Sequence, residues 1–91
     1  MHGVEFRPRA AEDFERLDGA VADRVLKKLR WLADNFDSIR PEPLTGPFSG
    51  LFKLRVGDYR VVYSVDHEKK LLTVRLLGHR REVYEQRPQK G

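Results

Sequence analysis

Residues 51 to 77 constrain the fold more than any other stretch of the chain. Three runs there alternate apolar and polar side chains: Leu51 to Val56, Tyr59 to Val65, and Leu71 to Leu77. Gly57-Asp58 separates the first two and suits a two-residue hairpin turn, where glycine at the first position is favoured. Asp66 to Lys70 is a longer polar turn before the third run. This pattern predicts an antiparallel three-strand meander. Side chains on a strand alternate between its faces, so each run divides in two. Phe52, Leu54 and Val56 form one apolar set, Tyr59, Val61, Tyr63 and Val65 a second, and Leu72, Val74 and Leu76 a third. These sets are predicted to face the core. Leu51, Lys53, Arg55, Arg60, Val62, Ser64, Thr73 and Arg75 then point the other way.

Helices are needed to cover the apolar side of this sheet. Val4-Glu5-Phe6 is a short alternating segment that stops at Pro8, and is predicted to be an edge strand. Ala10, Phe14 and Leu17 have helical spacing, with Pro8 near the helix start, where proline is tolerated. Asp18-Gly19 marks a turn. From Ala20 to Phe36, Val21, Val25, Leu29, Leu32 and Phe36 form one stripe, flanked by Ala22, Leu26 and Ala33. Trp31 lies beside the stripe, near Arg24 and Lys28. It reads either as a ring capping the core edge or as an anchor for a partner protein. Asp37 to Gly50 holds Pro41, Pro43, Pro47, Gly46 and Gly50, and reads as a connecting loop. Gly78 to Gly91 is charged, with a short helix or strand expected around Glu82 to Gln86. The fold class is α+β: one domain over residues 1–91, with two helices on one sheet face and the other face left open.

Lys and Arg number 18 against 14 Asp and Glu, a net charge of +4. A basic surface suits RNA, DNA, a membrane or an acidic protein. The absence of cysteine rules out disulfides and thiolate zinc sites. The N-terminal residues show no apolar run like a signal peptide's, and no segment approaches a membrane span, so a cytoplasmic protein is expected. His2, His67 and His79 are scattered, and no carboxylate pair has ligand-like spacing, so no metal site is expected. His2 and His67 read as solvated surface residues. Each of the three strands sends at least one cation to the uncovered face. Gly78-His79-Arg80-Arg81-Glu82-Val83-Tyr84 adds two guanidinium groups, an imidazole and a phenol at one end. Cations interleaved with aromatic rings suit single-stranded nucleic acid, since phosphates meet the charges and bases stack on the rings. The plainer reading is a solvated sheet face rich in Lys and Arg.

Pro43-Leu44-Thr45-Gly46, the run Gly50-Leu51-Phe52-Lys53-Leu54-Arg55-Val56-Gly57-Asp58-Tyr59-Arg60-Val61-Val62-Tyr63, and then Gly78-His79-Arg80 with Val83-Tyr84 together resemble the RelE/ParE superfamily of bacterial toxins. The order of elements resembles it too, over nearly the whole chain. The resemblance to the RelE-like branch implies a cytosolic, metal-independent ribonuclease that cuts mRNA in the ribosomal A site. There the ribose 2′-hydroxyl attacks the adjacent phosphate, leaving a 2′,3′-cyclic phosphate and a 5′-hydroxyl. It implies a cognate antitoxin that wraps the toxin, and no membrane or small-molecule cofactor. Matched motif by motif, the family's functional positions are Lys53, Arg55, Arg60, Arg80 and Tyr84; Lys53, Arg60, Arg80 and Tyr84 are expected to be catalytic, and Arg55, with His79 and Arg81 of the basic segment, to bind RNA. Arginine is a poor proton carrier at its ordinary pKa, so Lys53 or His79 is left to move protons. No glutamate is expected on the open face. A ParE-like toxin that inhibits DNA gyrase by binding it, without chemistry of its own, is the alternative, and an inactive relative is a third reading.

Overall fold

The computed structural model describes residues 1–85. The end of the predicted Glu82 to Gln86 element, and the tail with Pro88, lie outside the described residues. The chain runs β1 (Gly3–Phe6), α1 (Pro8–Glu15), α2 (Gly19–Asn35), β2 (Glu42–Pro43), β3 (Phe52–Val56), β4 (Tyr59–Asp66) and β5 (Leu71–His79). Short 3-10 turns span Phe36–Ser38, Gly46–Phe48 and Val83–Glu85. Pro8 opens α1 at a position where its missing N–H costs nothing. Asp18 caps α2, its carboxylate accepting from the Ala20 N–H at 3.2 Å. The predicted stripe of α2 is the buried one: Val25, Leu29, Leu32 and Ala33, continued by Phe36, are all at most 6% exposed.

The five strands form one mixed sheet in the order β1-β5-β4-β3-β2, with β1 parallel to β5 and the other pairs antiparallel. β1 forms one edge, as expected of the N-terminal strand. β2 forms the other edge, a two-residue strand inside the predicted loop. The β3–β4 hairpin turns at Gly57, whose φ of 58° is the left-handed conformation that glycine adopts without strain. The helices cover one face. Leu54, Val56, Val61, Tyr63, Leu72 and Val74 point into the core beneath them. The expected parity therefore holds through β3, β4 and the first half of β5.

It fails at Leu76. The ladder pairs Tyr63 with Val74 but Val62 with Leu76, so Arg75 is an extra residue, a β-bulge. Beyond it the facing of β5 reverses. Leu77 enters the helix-side core, whereas Leu76, predicted to do so, turns to the opposite face. That face, expected to be open, is partly covered. Phe48, Val62, Leu76 and Val83 form a second apolar cluster there, with Leu44 and Leu51 packed against it. Burying each of these side chains is worth roughly 1.5–3 kcal/mol, enough to hold the 44–51 loop and the Val83–Glu85 turn down on the sheet. Gly78 helps admit the turn: a Cβ at this position would already touch Val83 at 3.7 Å. His2 is a second correction. It is 7% exposed, its ring packed at a tilt with its centre 4.8 Å from that of Phe36 and its backbone N–H donated to the Ala33 carbonyl at 3.1 Å.

Candidate nucleic-acid interface

The β3–β4 register sets Lys53 opposite Val62 and Arg55 opposite Arg60. All four lie on the sheet face away from the helices, because their neighbours Leu54 and Val61 are in the helix-side core. Directly opposed side chains have Cβ atoms about 5 Å apart, and like charges so placed repel. Arg60 is held by two backbone carbonyls, its Nη1 donating to Gly57 at 2.8 Å and to Tyr59 at 2.9 Å. These bonds fix the guanidinium without neutralising it.

β2 brings a residue that sequence reasoning missed. Glu42 pairs with Lys53 in the ladder and therefore shares the basic face. Its Oε2 lies 3.5 Å from Arg55 and 3.7 Å from the Lys53 ammonium. Exposed ion pairs of this kind contribute about 0–1 kcal/mol, so an incoming phosphate can displace them at little cost. The expectation that this face lacks a glutamate is thus wrong. The signal was Pro41-Glu42-Pro43, where a proline suits an edge strand, but nothing in the loop's composition shows which face the carboxylate takes.

Tyr84 arrives from the C-terminal turn. Its ring meets Phe48 edge-on at 5.8 Å and is 38% exposed. Burial raises the pKa of its hydroxyl, Arg60 and Arg55 pull it back, and Glu42 adds to the rise. The three charges that act on this phenol are the ones on the basic face. Tyr63 faces the opposite way into the core, and burial, with a further contribution from Glu42, pushes its hydroxyl up to about 12.

Arg80 approaches the same hairpin turn that anchors Arg60. Its backbone N–H donates to the Asp58 carbonyl at 2.8 Å, and its side chain lies 3.9 Å from the Asp58 carboxylate. Two expected RNA-binding groups are placed differently. His79 pairs with Tyr59 and packs edge-on against that ring at 5.6 Å, on the parity of Val61 rather than of Arg60. Its Nδ1 accepts the Arg81 N–H at 3.2 Å, which ties the imidazole to the local turn. Arg81 is exposed. Trp31 is 45% exposed, with the Lys28 ammonium 4.4 Å from its ring centre.

The sequence matches the family described as the ParE toxin of type II toxin–antitoxin systems, parDE, over residues 4–84. The chain belongs to the RelE/ParE superfamily of toxins. A protein of Escherichia coli named as RelE-like toxin is 30% identical over 82 residues, covering 85% of this chain and 81% of its own length. A doubly arginine-substituted E. coli RelE toxin in the free state matches with a TM-score of 0.72 and 30% identity, over 92% of this chain and 90% of that one. The intact E. coli RelBE toxin–antitoxin complex holds a chain matched with a TM-score of 0.64 and 26% identity, over 87% of this chain and 96% of that one. These neighbours support the RelE-like branch, and the α+β architecture is the RelE-like fold. No helix among the described residues is long and apolar enough to cross a membrane.

Proposed function

We propose that this RelE-like toxin is a metal-independent endoribonuclease that cuts mRNA in the ribosomal A site and is restrained by a cognate antitoxin. The observation that carries the reading is the assembly of Lys53, Arg55, Arg60 and Tyr84, with Glu42 among them, on one sheet face. Cleavage begins as the ribose 2′-hydroxyl attacks the adjacent phosphorus. The 2′-oxygen loses its proton, and the P–O5′ bond breaks as the 5′-oxygen gains one. Arg60 and Arg80 suit the phosphate oxygens, since guanidinium stays charged and can donate paired hydrogen bonds. Lys53 and Arg55 add charge where the phosphorane forms. Glu42 is the best placed proton acceptor, replacing His79 in that role. The Tyr84 phenol, protonated at neutral pH as any tyrosine is and more weakly acidic through its burial, stacks on a base or donates to the leaving oxygen.

The intact E. coli RelBE toxin–antitoxin complex supports an antitoxin partner for this chain too. The family description carries the ParE name, so the non-catalytic gyrase inhibitor is the second reading. Induction of the chain in bacteria with mapping of mRNA ends, alongside a gyrase supercoiling assay, separates the two. Codon-phased cuts are expected, falling about 10²–10³-fold in rate with Arg60→Ala or Arg80→Ala, and about 10²–10⁴-fold with Glu42→Gln. Gyrase inhibition with intact mRNA would overturn the nuclease reading.

A further inference from the structure

A second group of cations lies toward the β1 edge, across the sheet from β3. Arg7, Arg9 and Arg75 line an open concavity of about 470 Å³, together with Pro8, Glu12 and Leu76. Its floor is the bulged part of β5. β1 stops pairing at Val74, after which the Arg7 N–H closes on the Val74 carbonyl at 2.9 Å. Arg75, the extra residue of that bulge, keeps the open side that alternation assigns it, and its Nε donates to the Ser64 hydroxyl at 3.0 Å. That bond orients a part-buried guanidinium while leaving its charge intact. Among the described residues, the ion pairs are those of Lys53, Arg55 and Arg80, and none involves Arg7, Arg9 or Arg75, although Glu12 shares the wall. Three guanidinium groups around one hollow, with Glu12 as the one carboxylate in its lining, carry a net positive charge that an anion would relieve.

We propose that this concavity is a second phosphate-binding site, which holds the backbone of the same RNA strand that lies on the basic face. The proposal rests on the ribonuclease reading and extends it. From the Arg60 position the hollow lies one strand across and two to three residues along, roughly 10 Å by strand spacings. An RNA backbone leaving Arg60 reaches it by passing over the Phe48 and Val83 cluster that covers β5 between the two places. Guanidinium forks suit phosphodiester oxygens, and the site reads no base, so it adds affinity without sequence preference.

The test measures binding of two single-stranded RNAs made uncleavable by 2′-deoxy substitution: a trinucleotide, too short to reach both places, and a dodecamer. The double variant Arg7→Gln/Arg9→Gln changes two exposed side chains, and Arg75→Lys retains charge but loses the fork. Thermal melting checks that each is folded. Both variants are expected to weaken dodecamer binding roughly tenfold and to leave the trinucleotide unchanged, and the Arg7→Gln/Arg9→Gln pair, which loses charge, to lower the log–log salt slope by about 0.7 for each phosphate no longer neutralised. Unchanged dodecamer affinity and slope in folded variants, with Arg60→Gln still harmful, overturn the second site and spare the ribonuclease reading. The reverse pattern, weaker binding with the Arg7/Arg9 pair and none with Arg60→Gln, supports the site and overturns the placement of RNA on the basic face. A wild-type chain that binds neither RNA overturns both. Saturable binding of inorganic phosphate, abolished in the variants without any change for the dodecamer, marks a lone-anion site and overturns the RNA assignment.

Discussion

Two tyrosines show how a single residue's surroundings decide its chemistry. Tyr84 sits at the rim, where burial and Glu42 raise its pKa and two arginines oppose the rise. The rise keeps its proton in place further into the alkaline range than an ordinary tyrosine's. Tyr63 is 1% exposed, and its hydroxyl is pushed up to about 12 by burial first and Glu42 second. The unfolded chain releases that proton near the ordinary tyrosine value of about 10. Between the two values the unfolded state binds fewer protons than the native one, so stability falls as pH rises. The contribution is fully present below about pH 10 and amounts to about 2–3 kcal/mol. Denaturant melts across this alkaline range should show that fall in the wild type, and Tyr63→Phe should flatten it. An equal fall in the variant would remove Tyr63 as its source.

At the scale of elements, β5 matters most. One bulge residue decides which of two consecutive leucines serves which core: Leu77 lies under the helices and Leu76 under the Phe48 and Val83 cluster, each 2% exposed. Arg75, the extra residue, keeps the open side. Strict alternation would send Leu77 to the side opposite the helices. The bulge instead makes Leu77→Ala a core truncation, which should cost about 2–5 kcal/mol in urea denaturation. A cost below about 0.5 kcal/mol, typical of surface substitutions, would contradict the register. The β3–β4 hairpin has the complementary role. Its turn supplies the carbonyls that hold Arg60 and the Asp58 groups that meet Arg80, so one tight turn positions both arginines.

For the molecule as a whole, the sheet separates two tasks. The helix side carries the main core, and the other side carries a smaller core with cations on either side of it: Lys53, Arg55 and Arg60 toward β3, Arg7, Arg9 and Arg75 toward β1. Six of the chain's 18 Lys and Arg thereby stand where a phosphate backbone can lie. RNA affinity should fall linearly with salt on a log–log plot, with a slope of about −0.7 per phosphate neutralised. Changing Lys53, Arg55 and Arg60 together to glutamine should flatten it by roughly that amount for each phosphate the variant no longer grips. Filter binding across a salt series measures both, and a flat wild-type response would argue against a phosphate-gripping face.

Local periodicity alone determined the helices, the hairpin at Gly57 and the common facing of Lys53, Arg55 and Arg60. Each of these depends on neighbours two to four residues apart, and the chain itself carries that spacing. Tertiary structure alone decided where Leu76 and Leu77 face, that Phe48 and Val83 meet across the sheet, that His2 is buried against Phe36, that Glu42 joins the basic face, and that Arg75 lies beside Arg7 and Arg9. Those outcomes depend on strand register and on contacts between distant segments. Alternation cannot reveal them, because one inserted residue reverses the parity of everything after it.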